Sequence, residues 1–150
     1  MEKNESKKIL EMVFDLIINF TKILPSCEET ENLKTMEFYI LMYIGMKSSK
    51  KMSELARVFS IAKSNVTVLV DGMEKKGYLK RVRNSDDRRV INVELTDKGK
   101  RLFDLTVKNF EKVINDVMER IPPKDLDVIS DGFFRMIKIF NSSKSAKSAP

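Results

Sequence analysis

The sequence predicts a mostly α-helical fold that carries one small β-hairpin, on three observations. Apolar residues recur at helical spacing over most of the chain, as at Val66, Leu69, Val70 and Met73. Two short alternating segments, residues 78–83 and 90–95, interrupt that pattern around the polar stretch Asn84-Ser85-Asp86-Asp87-Arg88-Arg89. Positive charge is concentrated in the middle of the chain. Residues 47–101 hold 15 Lys and Arg against 7 Asp and Glu, while the whole 150-residue chain carries a net charge of +6.

The elements follow in order. Residues 6–24 form a first helix that is apolar nearly all round, so it must be covered on more than one side. Pro25 ends it, and Glu28-Glu29-Thr30-Glu31 reads as an acidic loop. A second helix fits residues 33–46, with Phe38, Leu41, Met42 and Gly45 inward. Residues 47–51 read as a charged turn. A short helix over 53–59 takes Ser53 as its N-cap and Leu55, Ala56 and Phe59 as its inner face. After Ser60-Ile61-Ala62 comes a helix over 63–76, stopped by Gly77, with Lys75 and Lys76 at its negative end. The hairpin leads into Thr96, which caps a long helix running to about residue 120. Pro122-Pro123 breaks it and starts a last apolar helix containing Leu126, Ile129, Phe133, Phe134 and Ile137. From Asn141 the composition predicts disorder.

Composition excludes several classes of function. With one cysteine, Cys27, no disulfide forms within the chain, and with no histidine a tetrahedral zinc site lacks ligands. No nucleophile–base pair, phosphate-cradling glycine loop or metal cluster is visible, so neither enzyme nor cofactor is expected. The apolar run in the first helix is too short and too charged to span a membrane, and the opening residues lack a secretion signal. A cytoplasmic protein is expected. The basic balance favours a polyanionic partner.

A short helix, a three-residue turn and an amphipathic helix make a helix-turn-helix, and the adjoining basic hairpin makes a wing. A helix of this kind packs one face on its own domain and offers the other to the DNA major groove. Here the free side holds Lys63, Ser64, Asn65, Thr67, Val68 and Asp71. Asn65 can read an adenine edge, Ser64 and Thr67 can bond bases or phosphates, and Val68 can meet a thymine methyl. Asp71 suits phosphate poorly; it accepts from a cytosine amino group or pairs with a cation. The hairpin carries Arg81, Arg83, Arg88 and Arg89, residues suited to a narrow minor groove, with Asp87 expected to orient one of them.

Over residues 35–99 the sequence resembles the MarR family of bacterial and archaeal regulators. The matching segments are Met52-Ser53-Glu54-Leu55-Ala56, Val66-Thr67-Val68-Leu69-Val70-Asp71 and Glu74-Lys75-Lys76-Gly77-Tyr78-Leu79-Lys80-Arg81. The most specific is Asp87-Arg88-Arg89 followed by Val93-Glu94-Leu95-Thr96-Asp97-Lys98-Gly99. The resemblance implies a winged helix-turn-helix flanked by N- and C-terminal dimerisation helices, and a homodimer on a pseudo-palindromic operator in double-stranded DNA. It also implies a repressor released by a small anionic or phenolic effector. It puts Ser64, Asn65 and Thr67 in the major groove and Arg89 at the wing tip, with Arg88 assisting and Asp87 bracing. The sequence departs from redox- and metal-sensing members. Cys27 follows the first helix in an acidic loop that disfavours a thiolate, and no histidines are present.

The expected organisation is a dimerisation helix and loop over residues 1–32, a DNA-binding lobe over 33–99, dimerisation helices over 100–140 and a disordered tail over 141–150. The alternative function is a winged-helix scaffold for a protein partner, which the concentrated positive charge disfavours.

Overall fold

A computed structural model describes residues 3–23, 32–84 and 90–145. Among the described residues, six helices and three strands run in the order α1 (Lys3–Ile23), α2 (Thr35–Lys47), β1 (Lys50–Lys51), α3 (Met52–Phe59), α4 (Lys63–Lys75), β2 (Leu79–Arg83), β3 (Ile91–Leu95), α5 (Asp97–Met118) and α6 (Pro123–Ser145). They divide into two compact units, Met1–Phe110 and Glu111–Pro150.

The core of the first unit is made by α2 to α5 and the sheet. Ile40, Leu41 and Ile44 of α2 meet Leu55 of α3, Val66, Val70 and Met73 of α4, and Val93 of β3, all essentially buried. On α4 this is the predicted face, with Leu69 only partly buried. On β3 the predicted alternation of Ile91, Val93 and Leu95 holds for Val93 and Leu95, while Ile91 is exposed beside the hairpin tip. On α2 the buried stripe is Glu37, Ile40, Leu41 and Ile44, one position away from the predicted Phe38, Leu41, Met42 and Gly45. That helix is apolar on most sides, so its spacing alone does not choose the inward face.

Glu37 is the one charged residue in the core among those described. Its carboxylate accepts from the Lys34 N–H at 2.8 Å and from Lys76 Nζ at 2.6 Å. The first bond closes the start of α2. The second ties α2 to the end of α4, and a buried carboxylate without such partners would be strongly unfavourable.

Gly77 ends α4 as predicted. Its φ of 78° lies in the left-handed region, its N–H donates to the Glu74 carbonyl, and the Tyr78 N–H reaches back to Met73. The chain then enters the sheet, whose order is β1-β3-β2 with both pairings antiparallel. The hairpin register sets Leu79 against Leu95 and Arg83 against Ile91.

The Leu95-Thr96-Asp97-Lys98-Gly99 stretch serves this junction. Thr96 Oγ1 caps α5 by accepting from the Gly99 N–H and donates to the Gly77 carbonyl at 2.6 Å. Its N–H donates to the Tyr78 carbonyl, and Lys98 Nζ lies 4.5 Å from the centre of the Tyr78 ring. The Thr96-to-Gly99 end of the most specific motif is thus a clasp between the end of α4 and the start of α5.

Three expectations are corrected. Ser53 is not an N-cap: α3 begins at Met52 with Lys51 as its cap residue, because the chain turns into the helix straight from β1. Residues 50–51 are a strand rather than a turn, made by pairing with Asn92 and Val93. The final helix runs on through Ser145 where composition predicts disorder from Asn141; residues 146–150 lie outside the described residues.

Ser48 joins α2 to β1 with φ 64° and ψ −169°, a region populated essentially by glycine alone. Ser48→Gly is expected to relieve roughly 1–2 kcal/mol and raise the melting temperature by a few degrees. An unchanged or lower melting temperature in a calorimetric scan would refute that strain.

In the second unit, taken by itself, the end of α5 passes through a tight turn into α6. The Arg120 and Ile121 N–H groups bond to Val117 and Met118, and the Asp125 N–H bonds to Pro122. Val128, Phe134 and Ile139 are exposed.

Candidate nucleic-acid interface

The turn between α3 and α4 is set by Ser60, which closes α3 in the left-handed conformation, its N–H directed to the Ala56 and Arg57 carbonyls. After Ile61 and Ala62, α4 starts at Lys63. No side chain caps that start and no acidic residue lies in its first turn, so its positive end is open to an anion.

Burial splits α4 into two faces. Val66, Val70 and Met73 are buried, while Lys63, Ser64, Asn65, Thr67 and Val68 are exposed, Val68 at 70%. An aliphatic side chain that open on a well-packed lobe is a candidate for contact with a thymine methyl. The Thr67 hydroxyl donates to the Lys63 carbonyl at 3.1 Å, which leaves its methyl and oxygen lone pairs outward.

Beside this face, α4 and the sheet border a cleft of about 470 Å³ whose walls include Lys63, Thr67, Asp71, Arg81 and Ile91. Arg83 is exposed at the end of β2. Arg81 is different, being engaged by α4. Its NH2 lies 2.7 Å from Asp71 Oδ1, its NH1 bonds to Glu74 Oε2, and its backbone N–H donates to Glu74 Oε1 at 2.9 Å. Of the two readings of Asp71, the structure shows pairing with a cation. Asp87, Arg88 and Arg89 lie outside the described residues.

Sequence reasoning missed the Glu37–Lys76 bond and the role of Glu74. Glu74 stands one turn after Asp71 on α4, a spacing that puts both on one face, and this signal could have been read. Among the described residues no group of three or more His, Cys, Asp or Glu could hold a metal, and no helix is long and apolar enough to cross a membrane.

A helix, a tight turn, a half-exposed helix and a hairpin folded against it define a winged helix-turn-helix. The chain belongs to the SarA/Rot family of transcriptional regulators, winged-helix proteins of the MarR type, whose family model matches residues 22–105. It is therefore a transcriptional regulator, in a family of regulators rather than enzymes.

A MarR-like transcriptional regulator from Thermotoga maritima is similar over 94% of this chain and 98% of its own, at 39% identity and a TM-score of 0.77. The Streptococcus pneumoniae FabT structure, determined in complex with DNA, shares the fold at 19% identity and a TM-score of 0.78, over 94% of this chain and 99% of its own. The repressor MdtR of Bacillus subtilis is 34% identical over 83 residues, 53% of this chain and 54% of its own. The chain spans between about half and two thirds of the length of three of its curated relatives, MdtR among them.

Proposed function

We propose that this regulator binds a pseudo-palindromic operator in double-stranded DNA as a cytoplasmic homodimer, represses transcription there, and is released by a small effector. In this reading residues 33–99 hold the DNA, and residues 1–32 and 100–140 hold the two chains together. Lys63, Ser64, Asn65, Thr67 and Val68 enter the major groove. Arg83, Arg88 and Arg89 line the wing, with Asp87 bracing its tip. The observation that carries it is the divided surface of α4: one side is core, and the other is an open polar and aliphatic strip at an uncapped helix start.

The release step is supported by a second cleft, of about 460 Å³, between the end of α2, β3 and α5. Ile44, Leu95 and Phe103 give it apolar walls and Lys100 a cation, while Glu94 and Asp104 restrict an anionic occupant to low charge. A phenol or an aromatic monoacid fits those constraints.

The test is selection of duplexes from a random library by the purified protein, followed by salt-titrated binding. A selected inverted repeat bound at roughly nanomolar strength, with affinity falling steeply as salt rises, is the expected result. Asn65→Ala should weaken that duplex by about 1–3 kcal/mol and relax preference at one base pair per half-site. Arg89→Ala should weaken binding and flatten the salt slope by roughly one unit if the side chain neutralises a phosphate. No enriched sequence from an intact dimer would overturn the reading in favour of a protein partner.

A further inference from the structure

Arg81 carries a formal charge at the root of the wing, yet its geometry is unlike that of a residue waiting for a phosphate. Only 27% of its side chain is exposed, and both branches of the guanidinium face carboxylates of α4. Moving it onto DNA would abandon two charge-assisted bonds and leave Asp71 and Glu74 facing a polyanion. The cluster as it stands, two carboxylates with one guanidinium, has a net charge of −1.

The backbone bond adds a second constraint. In the order β1-β3-β2, β2 is an outer strand. The Asn84 N–H bonds to the Val90 carbonyl across the hairpin. By the alternation of an antiparallel ladder, the N–H of Arg81, three residues earlier, points out of the sheet's open edge. Glu74 accepts it there at 2.9 Å. One carboxylate therefore holds both the main chain and the side chain of the same wing residue, from the helix that presents Asn65 and Thr67.

We infer that Arg81 is a positioning residue: with Asp71 and Glu74 it locks the wing to the recognition helix and thereby sets operator specificity, without touching DNA. The inference rests on the proposed DNA-binding reading for its consequence and on this cluster alone for its mechanism. It removes Arg81 from the direct contacts that the sequence suggests. A lobe locked in this way presents α4 and the base of the wing in a fixed mutual orientation, so only a duplex with matching groove geometry engages both.

The decisive variant is Asp71→Asn combined with Glu74→Gln in the full-length protein. It makes the interface more positive by two units, so a purely electrostatic account predicts tighter binding to every duplex. A lock predicts the opposite for one duplex only. Affinity for the sequence selected by the wild type should fall by about tenfold, while affinity for a scrambled duplex of equal composition holds or rises. Tighter or unchanged binding to the selected duplex overturns the inference. So does a salt slope flattened by about one unit in Arg81→Ala, since that is the mark of a lost phosphate contact.

A measurement without DNA separates this inference from the reading it rests on. In Glu74→Ala, native-state hydrogen exchange of the Arg81 amide should accelerate by about tenfold or more while core amides of β3 stay protected. Unchanged exchange at Arg81 overturns the lock. If the wild type selects no duplex, the proposed function fails, and the lock is then judged on the exchange result.

Discussion

Gly99→Ala is expected to lower the melting temperature by roughly 10 °C, because overpacking against a fixed backbone costs up to about 3 kcal/mol. A Cβ at this position would run into the carbonyl oxygen of Tyr78, which is main chain and has no rotamer to change. That carbonyl already accepts the Thr96 N–H at 3.0 Å, and the Tyr78 N–H is tied to Met73. Neither side of the contact can withdraw without opening the clasp between α4 and α5. Gly99 also supplies the N–H that Thr96 accepts, so the same shift would uncap α5. Calorimetry on the two proteins decides the matter. A change under about 2 °C would mean that α5 can slide over Tyr78, and would sink the account of the clasp.

The second large effect concerns α1. If the protein is the proposed homodimer on a two-half-site operator, Phe14→Glu together with Ile17→Glu is expected to yield a monomer and weaken operator binding by about a hundredfold, through loss of the second half-site's effective concentration. In the isolated chain α1 leaves Ile9, Leu10, Met12, Phe14 and Ile17 each more than half exposed. A strip of that size on a soluble monomer exceeds what single chains usually show to water. Each such side chain gains roughly 1.5–3 kcal/mol on full burial, so a partner surface is strongly favoured. Sedimentation analysis at micromolar concentration reads the mass directly. A dimer that survives both charges would move the subunit interface away from this part of α1.

Much of the winged helix-turn-helix lobe is legible in the sequence because its signals are local. Gly77 after an amphipathic run fixes the end of α4, and alternation at Ile91, Val93 and Leu95 finds the buried face of β3 except at Ile91, which lies beyond the core and stays exposed. Thr96 with Asp97 marks the start of α5. What escapes the sequence depends on partners distant along the chain. Lys50 and Lys51 have no strand propensity to display; they are extended because β3 lies beside them. Glu37 looks like any helical glutamate, and its partner Lys76 is 39 positions away. Arg81 reads as one more wing arginine until the helix opposite shows its carboxylates. The strip from Lys63 to Val68 was visible as a candidate because the buried positions of α4 leave it no other orientation.

The short strand β1 has a further consequence, for the order in which the lobe assembles. Its pairing of Lys50 with Val93 encloses the whole helix-turn-helix, β2 and the hairpin tip within one chain loop. Closing so long a loop costs several times the thermal energy before any contact rewards it, and the two-residue strand offers little in return. Helices α3 and α4 and the β2–β3 hairpin, all built from near neighbours, can form ahead of that closure. The β1 ladder then acts as the last fastener, and substitutions at Lys50 or Lys51 should speed unfolding while leaving the folding rate nearly untouched.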